Sequence, residues 1–240
     1  MASIVVFYGA IVLLYRYFGR TGLVVWMGMA TVLANIEVLR MVEAFGMEMT
    51  LGNVLFASTF LVTDILSEKE GREYATRVAW LGVITAIGFA VISQSWLLYE
   101  PSSSDWAGDS FKIIFSMTPR VVAASVIVFA ICQHFDIWLY HKIWALTTKV
   151  TSDQTRFMWL RNNAATMITQ AINTVLYNFG AFWGVYSMHT LISICIGCYL
   201  IFIVTSLCDT PALYLARRMD PDGHKAAGTP DKIEKKQCDL

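Results

Sequence analysis

The chain has 240 residues, of which 56% are hydrophobic and 15% charged; acidic and basic side chains balance, and the mean hydropathy is +0.54. Soluble domains carry about 25% charged residues, so this composition excludes an ordinary globular protein. Several apolar runs approach the roughly 20 residues needed to cross about 30 Å of hydrocarbon. They are continuous rather than alternating, and in lipid the backbone must satisfy its own hydrogen bonds, so helices are expected rather than a barrel. The expected fold class is an all-α polytopic membrane protein.

Seven spans are predicted, at 3–19, 21–45, 51–67, 76–98, 119–141, 162–186 and 189–215. Met1-Ala2-Ser3 runs straight into apolar sequence without a basic leader or cleavage site, so no cleavable signal is expected. The first span is short, and Gly19-Arg20-Thr21-Gly22 supplies its turn. Span two carries Thr31 and Asn35 at i, i+4, then Glu37 and Arg40 at i, i+3, a spacing that suits a structural ion pair. Span three, with STFLVTDILSE, puts Thr59 near mid-depth and Asp64 and Glu68 on one face. Asp109 to Thr118 reads as a separate interfacial helix before Pro119, which suits the first turn of span five. Span five opens with Arg120 and carries Gln133 and Asp136 at i, i+3.

Span six, RNNAATMITQAINTVLYNFGAFWG, spaces Asn163, Thr166, Gln170, Asn173 and Tyr177 by 3, 4, 3 and 4 residues, which gathers amides and hydroxyls on one helical face. Span seven holds Cys195 and Cys198, a C-x-x-C that reads as small apolar packing rather than redox or metal chemistry. The five cysteines form no secreted framework. Asp209 stands just before Thr210-Pro211, where a proline can kink the helix. Residues 1–218 thus form the membrane domain, and Met219 to Leu240 reads as a solvated, disordered tail.

Fifteen of the 18 Lys and Arg fall in the loops after spans one, three and five, at the adjoining helix ends, or in the tail; only Arg40, Lys112 and Arg120 lie on the other side. This bias places the N-terminus outside and the C-terminus in the cytoplasm, and tryptophans at both ends of the spans fit aromatic belts. Spans two to four then start at the cytoplasmic side and spans five to seven outside. Two inverted three-helix repeats plus an extra N-terminal helix are compatible with that order, with Thr59–Asp64 opposite Gln170–Asn173 near the midplane.

No G-x-x-x-x-G-K-[ST], H-E-x-x-H or G-x-S-x-G motif is present, and the four histidines do not cluster, so no ATPase, metal or hydrolase chemistry is indicated. What remains is polar side chains inside spans, which are functional candidates by default. A central carboxylate costs about 3 kcal/mol on insertion scales, so Asp64, Glu68, Asp136 and Asp209 need partners such as Arg77, Lys142 or Arg161. Amides also serve as interhelical glue worth about 1 kcal/mol each. Glue explains one amide, whereas a stripe of five on one helix points to a cavity lining.

At these residues the sequence resembles the YhhQ-type or VUT-type membrane proteins, which take up queuosine precursors. The resemblance runs through LANIEVLR (Leu33–Arg40), LGNVLFASTFLVTDILSEKEGREYATR (Leu51–Arg77), TPRVVAASVIVFAICQHFDIWLYH (Thr118–His141), WLRNNAATMITQAINTVLYNFGAFWG (Trp159–Gly184) and LCDTPALYLARR (Leu207–Arg218). The blocks cover most of Leu23 to Arg218, with TDILSE and WLRNN the most specific, and the extra first span resembles the seven-span branch.

The resemblance implies import of 7-deazaguanine bases or queuine across the cytoplasmic (inner) membrane, with no cofactor, no metal and no catalytic residue. Its partners are the small-molecule substrate and the lipid bilayer, with no nucleic acid and a homodimer left open. A guanine-like base offers a flat ring, a donor edge and a carbonyl, which carboxylates, amides and aromatic rings can meet. The motif-matching positions for substrate are Asn35, Thr59, Asp64, Gln133, Asn163, Gln170 and Asn173, with Glu37, Arg120 and Asp136 available for charge or coupling. In one place the chain departs from the family pattern: Q-x-x-D-[ST] reads Q-A-I-N-T here, so Asn173 brings no negative charge and another carboxylate, such as Glu37 or Asp64, has to supply it. A vitamin-binding subunit that lends its site to a separate ATPase, or a transporter of another nucleobase-like molecule, is the alternative reading.

Overall fold

The computed structural model of the chain describes residues 2–38, 40–44, 47–116, 119–151 and 157–219. The predicted tail beyond Met219 lies outside the described residues.

Helix α1 spans Ala2–Glu37 but is broken at Gly19, whose φ of 56° and ψ of −143° favour a residue without a side chain. A Cβ on Gly22 would sit 2.5 Å from the carbonyl oxygen of Leu14, and the rings of Phe7 and Trp26 lie 6.1 Å apart. Along one straight helix those pairs would be roughly 12 Å and 28 Å apart at 1.5 Å per residue. The two limbs therefore fold back on each other, and expected spans one and two form a helical hairpin closed at Gly19.

Span two was expected to run to residue 45. Instead the helix stops at Glu37, and β1 (Met41–Ala44) pairs antiparallel with β2 (Met47–Thr50), Val42 opposite Met49 and Glu43 opposite Glu48. The reason is a period-two pattern that the overall apolarity of the segment conceals: Val42 and Met49 alternate with Glu43 and Glu48. Val42 and Met49 pack on Cys198, Ile201 and Phe202. Arg40, exposed after the helix end, accepts a hydrogen bond on its carbonyl from the Leu51 amide at 2.9 Å. Among the described residues no ion pair joins it to Glu37, so the helical i, i+3 spacing has no structural counterpart there.

The remaining helices are α2 (Asn53–Lys69), α3 (Arg72–Trp96), α4 (Gly108–Phe115), α5 (Pro119–Thr151), α6 (Met158–Phe182) and α7 (Met188–Arg218). Short α4 is exposed and clusters Phe111 and Phe115 on Trp96, as expected of an interfacial helix. Helix α5 is ten residues longer than predicted. No breaker follows His141, and Trp144 in the extension stacks 4.2 Å from the Arg161 guanidinium.

Successive long helices alternate in direction. At one end, Arg20 meets Glu70 at 3.8 Å, the Lys69 ammonium donates to the Met219 carbonyl, and Arg217 reaches the Met158 sulfur at 3.4 Å. This is the end where most Lys and Arg collect, and it is called here the basic end. At the other, the hairpin end, Gln94 donates to the Phe115 carbonyl at 2.7 Å. There Gly52 lies so close to Ala34 that a Cβ would come within 2.9 Å of its carbonyl oxygen.

Limb 20–37, α2 and α3 make one triplet, and α5, α6 and α7 a second triplet of opposite direction.

Four helices, α1, α3, α5 and α7, are by themselves long and apolar enough to cross a membrane. The other two long ones, α2 and α6, are the more polar and run between them. Every residue of α2 from Ala57 to Lys69 is buried, on all sides of the helix. Large apolar side chains such as Val5, Phe18, Ile84, Val91, Ile127, Ile168, Val175, Ile196 and Leu207 point outward, while amides, hydroxyls and carboxylates are inside. That inverted distribution is the mark of a bundle whose solvent is lipid. The chain is an all-α polytopic membrane protein, and its small two-stranded hairpin caps one end.

Candidate substrate cavity

The hairpin half of the bundle encloses a cavity with about 780 Å³ of empty space, open solvent at its mouth included. Its walls come from the second limb of α1, β2, α2, α3, α5, α6 and α7. Phe56, Phe129, Phe202 and Tyr177 supply aromatic surface, and Phe56 is held at its centre by edge-on contacts to Phe60, Phe129 and Phe202 at 5.5–6.3 Å. Four asparagines, Asn35, Asn53, Asn173 and Asn178, supply most of the polarity, with Thr31, Thr50, Ser125 and Thr174. Among the described residues, no charged side chain lines it.

The amides are oriented by the chain itself. Asn35 donates its Nδ2 to the Thr31 carbonyl at 2.8 Å, and Asn178 donates to the Thr174 carbonyl at 2.8 Å. Asn173 donates to Gln170 Oε1 at 3.1 Å. In each case one of the two amide N–H groups is engaged by the protein, so the side chain keeps a second donor and its oxygen acceptor. Asn53 accepts from the Thr50 hydroxyl at 3.0 Å and donates to the Cys198 sulfur at 3.4 Å, which ties β2, α2 and α7 together at the wall. Cys198 also packs with Met49, Ile201 and Phe202, and the Cys195 thiol points to the Thr174 carbonyl at 3.7 Å.

Below the cavity lies a layer of cross-helix hydrogen bonds. Gln133 Nε2 donates to Thr59 Oγ1 at 2.7 Å, and Thr63 Oγ1 donates to Gln133 Oε1 at 3.4 Å. Deeper still, Asp64 of α2 lies near Asp136 of α5; Asp136 faces the Thr169 hydroxyl of α6, and Asp64 has no hydrogen-bond partner among the described residues. The Thr166 hydroxyl and the Gln170 Nε2 are likewise buried and unpartnered among the described residues.

The basic half closes on a charged network. Arg161 is fully buried; its Nε donates to Glu68 Oε1 at 2.7 Å, its Nη2 donates to the same oxygen, and the Tyr140 hydroxyl donates there at 2.6 Å. Arg217 adds a 3.9 Å contact to the other Glu68 oxygen. Beside it, Asn162 donates to Asp209 at 2.6 Å, Asn163 donates to Thr210 at 2.7 Å, and Ser206 donates to Asn163 at 3.3 Å. These bonds join α6 to α7 across Pro211, which lies within α7.

The residues singled out in the sequence therefore divide by depth. Asn35 and Asn173 line the cavity; Thr59, Gln133 and Gln170 form the layer beneath; Asp64 and Asp136 lie deeper; Asn163 belongs to the α6–α7 seam. Glu37 ends α1, half-buried and outside the lining, and the Arg120 side chain lies outside the described residues. Sequence reasoning missed Asn53, Asn178 and the three phenylalanines. Asn178 follows Tyr177 by one position, and Thr174 follows Asn173 likewise, so the polar face of α6 is two rows wide where one row was read. Arg161, one of three basic residues expected to meet the inner carboxylates, does meet Glu68 and is the largest of the fully buried side chains.

A sequence model of the family described as "putative vitamin uptake transporter" matches residues 50–216. Over 217 residues the chain is 37% identical to the probable queuosine precursor transporter of Bacillus subtilis (strain 168), covering 90% of this chain and 93% of that protein. It is 27% identical over 143 residues, 59% of each chain, to the queuosine precursor transporter of Escherichia coli (strain K12). No solved structure matches.

Proposed function

The chain belongs to this family of putative vitamin uptake transporters, and from that premise we propose that it imports queuosine precursors, 7-deazaguanine bases or queuine, across the cytoplasmic membrane. The observation that carries the reading is the cavity: aromatic surface for a flat ring, with amides that can accept from a donor edge and donate to a carbonyl. A base that fits leaves few buried groups unpaired, and one that lacks the donors leaves the amides unsatisfied, which is a strong basis for selectivity. The chain acts as a transporter and not as an enzyme.

In this reading the basic end faces the cytoplasm by the positive-inside bias, the N-terminus lies outside, and the cavity faces outward. Asn35 and Asn173 contact substrate directly. Thr59, Gln133 and Gln170 hold the floor, and Asp64, Asn163 and Asp136 line the onward route, with Asp136 and Glu37 available for coupling. The charged network around Arg161 and Glu68 closes the cytoplasmic side.

The test is uptake of a labelled 7-deazaguanine base, or queuosine content of tRNA, in cells lacking their own importer and synthesis pathway. Expression of this chain is expected to restore both, and no restoration at normal membrane level rejects the substrate. Gln170→Ala should lose restoration while reaching the membrane normally. The family's description as vitamin uptake favours one second reading, a substrate-binding subunit served by a separate ATPase. Uptake that requires a co-expressed ATPase would select it.

A further inference from the structure

The cavity's charge, rather than its shape, carries the next step. Its polar lining is built entirely from amides, hydroxyls and one thiol among the described residues. The carboxylates of α2, α5 and α7 are all held elsewhere. Asp64 and Asp136 lie beyond the Thr59–Gln133 layer, Asp209 is bonded to Asn162, and Glu68 is bonded to Arg161. Glu37 ends α1 outside the lining. A cation that enters the cavity therefore meets neutral dipoles but no counter-ion, and its hydration shell has to be given up against groups that cannot neutralise it. An uncharged ring with N–H donors loses far less on entry and meets the same dipoles.

We propose that this cavity selects its ligand by charge, taking an uncharged flat heterocycle with a donor edge and discriminating against the same ring bearing an ammonium group. Asn173 is the position that sets this preference. It is buried, it lines the cavity together with Phe56 of α2, and its amide is the isosteric partner of a carboxylate. Its Nδ2 is donated to Gln170, so replacing it with Asp places a negative charge at that point without changing side-chain volume. The aromatic walls attract a cation weakly and do not neutralise it.

This inference rests on the import reading above, and the experiment separates the two. Two isotopically labelled probes of nearly the same shape are offered to cells expressing the full chain: 7-cyano-7-deazaguanine, which is uncharged, and 7-aminomethyl-7-deazaguanine, which carries an ammonium at neutral pH. The cyano base is expected to enter about tenfold faster or more at equal low concentration, and Asn173→Asp should shift the ratio toward the aminomethyl base by about tenfold, the factor given by one modest electrostatic contact. Asn178→Asp is run in parallel, because it adds a charge at a second lining position should the first variant fail to reach the membrane. Equal entry of both bases by the wild-type chain overturns charge selection while leaving the import reading intact. An unchanged ratio in whichever Asp variant reaches the membrane overturns it too. Entry of neither base overturns the import reading, and this inference falls with it.

Discussion

The two halves of the bundle are both polar inside, and they are polar in different ways. In the hairpin half, Asn35, Asn173 and Asn178 each bond within their own helix, on the turn below or on a neighbouring side chain, and keep further hydrogen-bonding capacity beside an open space. In the basic half, Arg161, Glu68, Tyr140, Asn162 and Asp209 spend their groups on one another across α2, α5, α6 and α7. The first arrangement leaves valence unused and room beside it, whereas the second leaves neither. Polarity inside a membrane bundle is therefore no guide to function until its partners are counted: cross-helix pairing marks closure and structure, and intrahelical pairing beside a void marks a place for a ligand.

The largest effect expected from this difference is in the basic half. Removing one partner of a buried ion pair leaves the other charge uncompensated, which costs about 3–5 kcal/mol. Glu68→Ala and Arg161→Ala should each lower the melting temperature of the purified protein sharply and reduce its level in the membrane. The double variant Glu68→Gln with Arg161→Met should recover much of that loss, since no lone charge remains. If Glu68→Ala melts like the wild type, the basic half is not the structural lock described here.

The helical hairpin of α1 comes next. A methyl on Gly22 would collide with the Leu14 carbonyl, a backbone atom that cannot rotate away, so Gly22→Ala is expected to destabilise by about 1–3 kcal/mol through forced separation of the limbs. Gly9→Ala, where nothing lies within 4 Å, is the control and should melt unchanged.

How much of this was legible can be judged from particular residues. The seven passes, the α4 segment and the polar face of α6 follow from hydropathy and from 3–4 spacing, both local properties of the chain. The hairpin of β1 and β2 escaped because a ten-residue stretch rich in Met, Val and Ala satisfies an apolar window while its alternation is short. Arg161 was among three basic residues expected to meet the inner carboxylates, and it meets Glu68, 93 positions earlier, at 2.7 Å; which carboxylate takes it is set by tertiary packing and not by position near a helix start. Asn53 and Phe56 escaped for a similar reason, since the lining of a cavity is set by where α2 and α6 approach one another. What did carry over was the choice of Asn35 and Asn173, which periodicity and motif placed on inward faces.

A smaller effect is expected at the seam between the halves. Asn163 bonds Thr210 and Ser206 on α7, and interhelical hydrogen bonds of this sort contribute about 0.6–2 kcal/mol each. Asn163→Ala should lower the melting temperature modestly, and its uptake defect should track the loss of protein from the membrane. An uptake defect at full membrane level would move Asn163 from the seam to the substrate route.

The smallest stability effect is expected at Asn35, and it is the most telling. Its side-chain amide donates to the Thr31 carbonyl on its own helix at 2.8 Å, and that carbonyl keeps a backbone partner without it. Replacement by Ala removes no cross-helix bond and opens space only into a cavity that is already open, so the change in stability should fall within about 0.5 kcal/mol. Uptake of the deazaguanine probe should nevertheless drop by about tenfold, the size expected when one hydrogen bond to a buried donor is lost. A variant that melts like the wild type and transports poorly is what a ligand-facing amide predicts; one that transports normally returns Asn35 to the role of an ordinary helix-capping side chain and leaves the cavity to Asn53, Asn173 and Asn178.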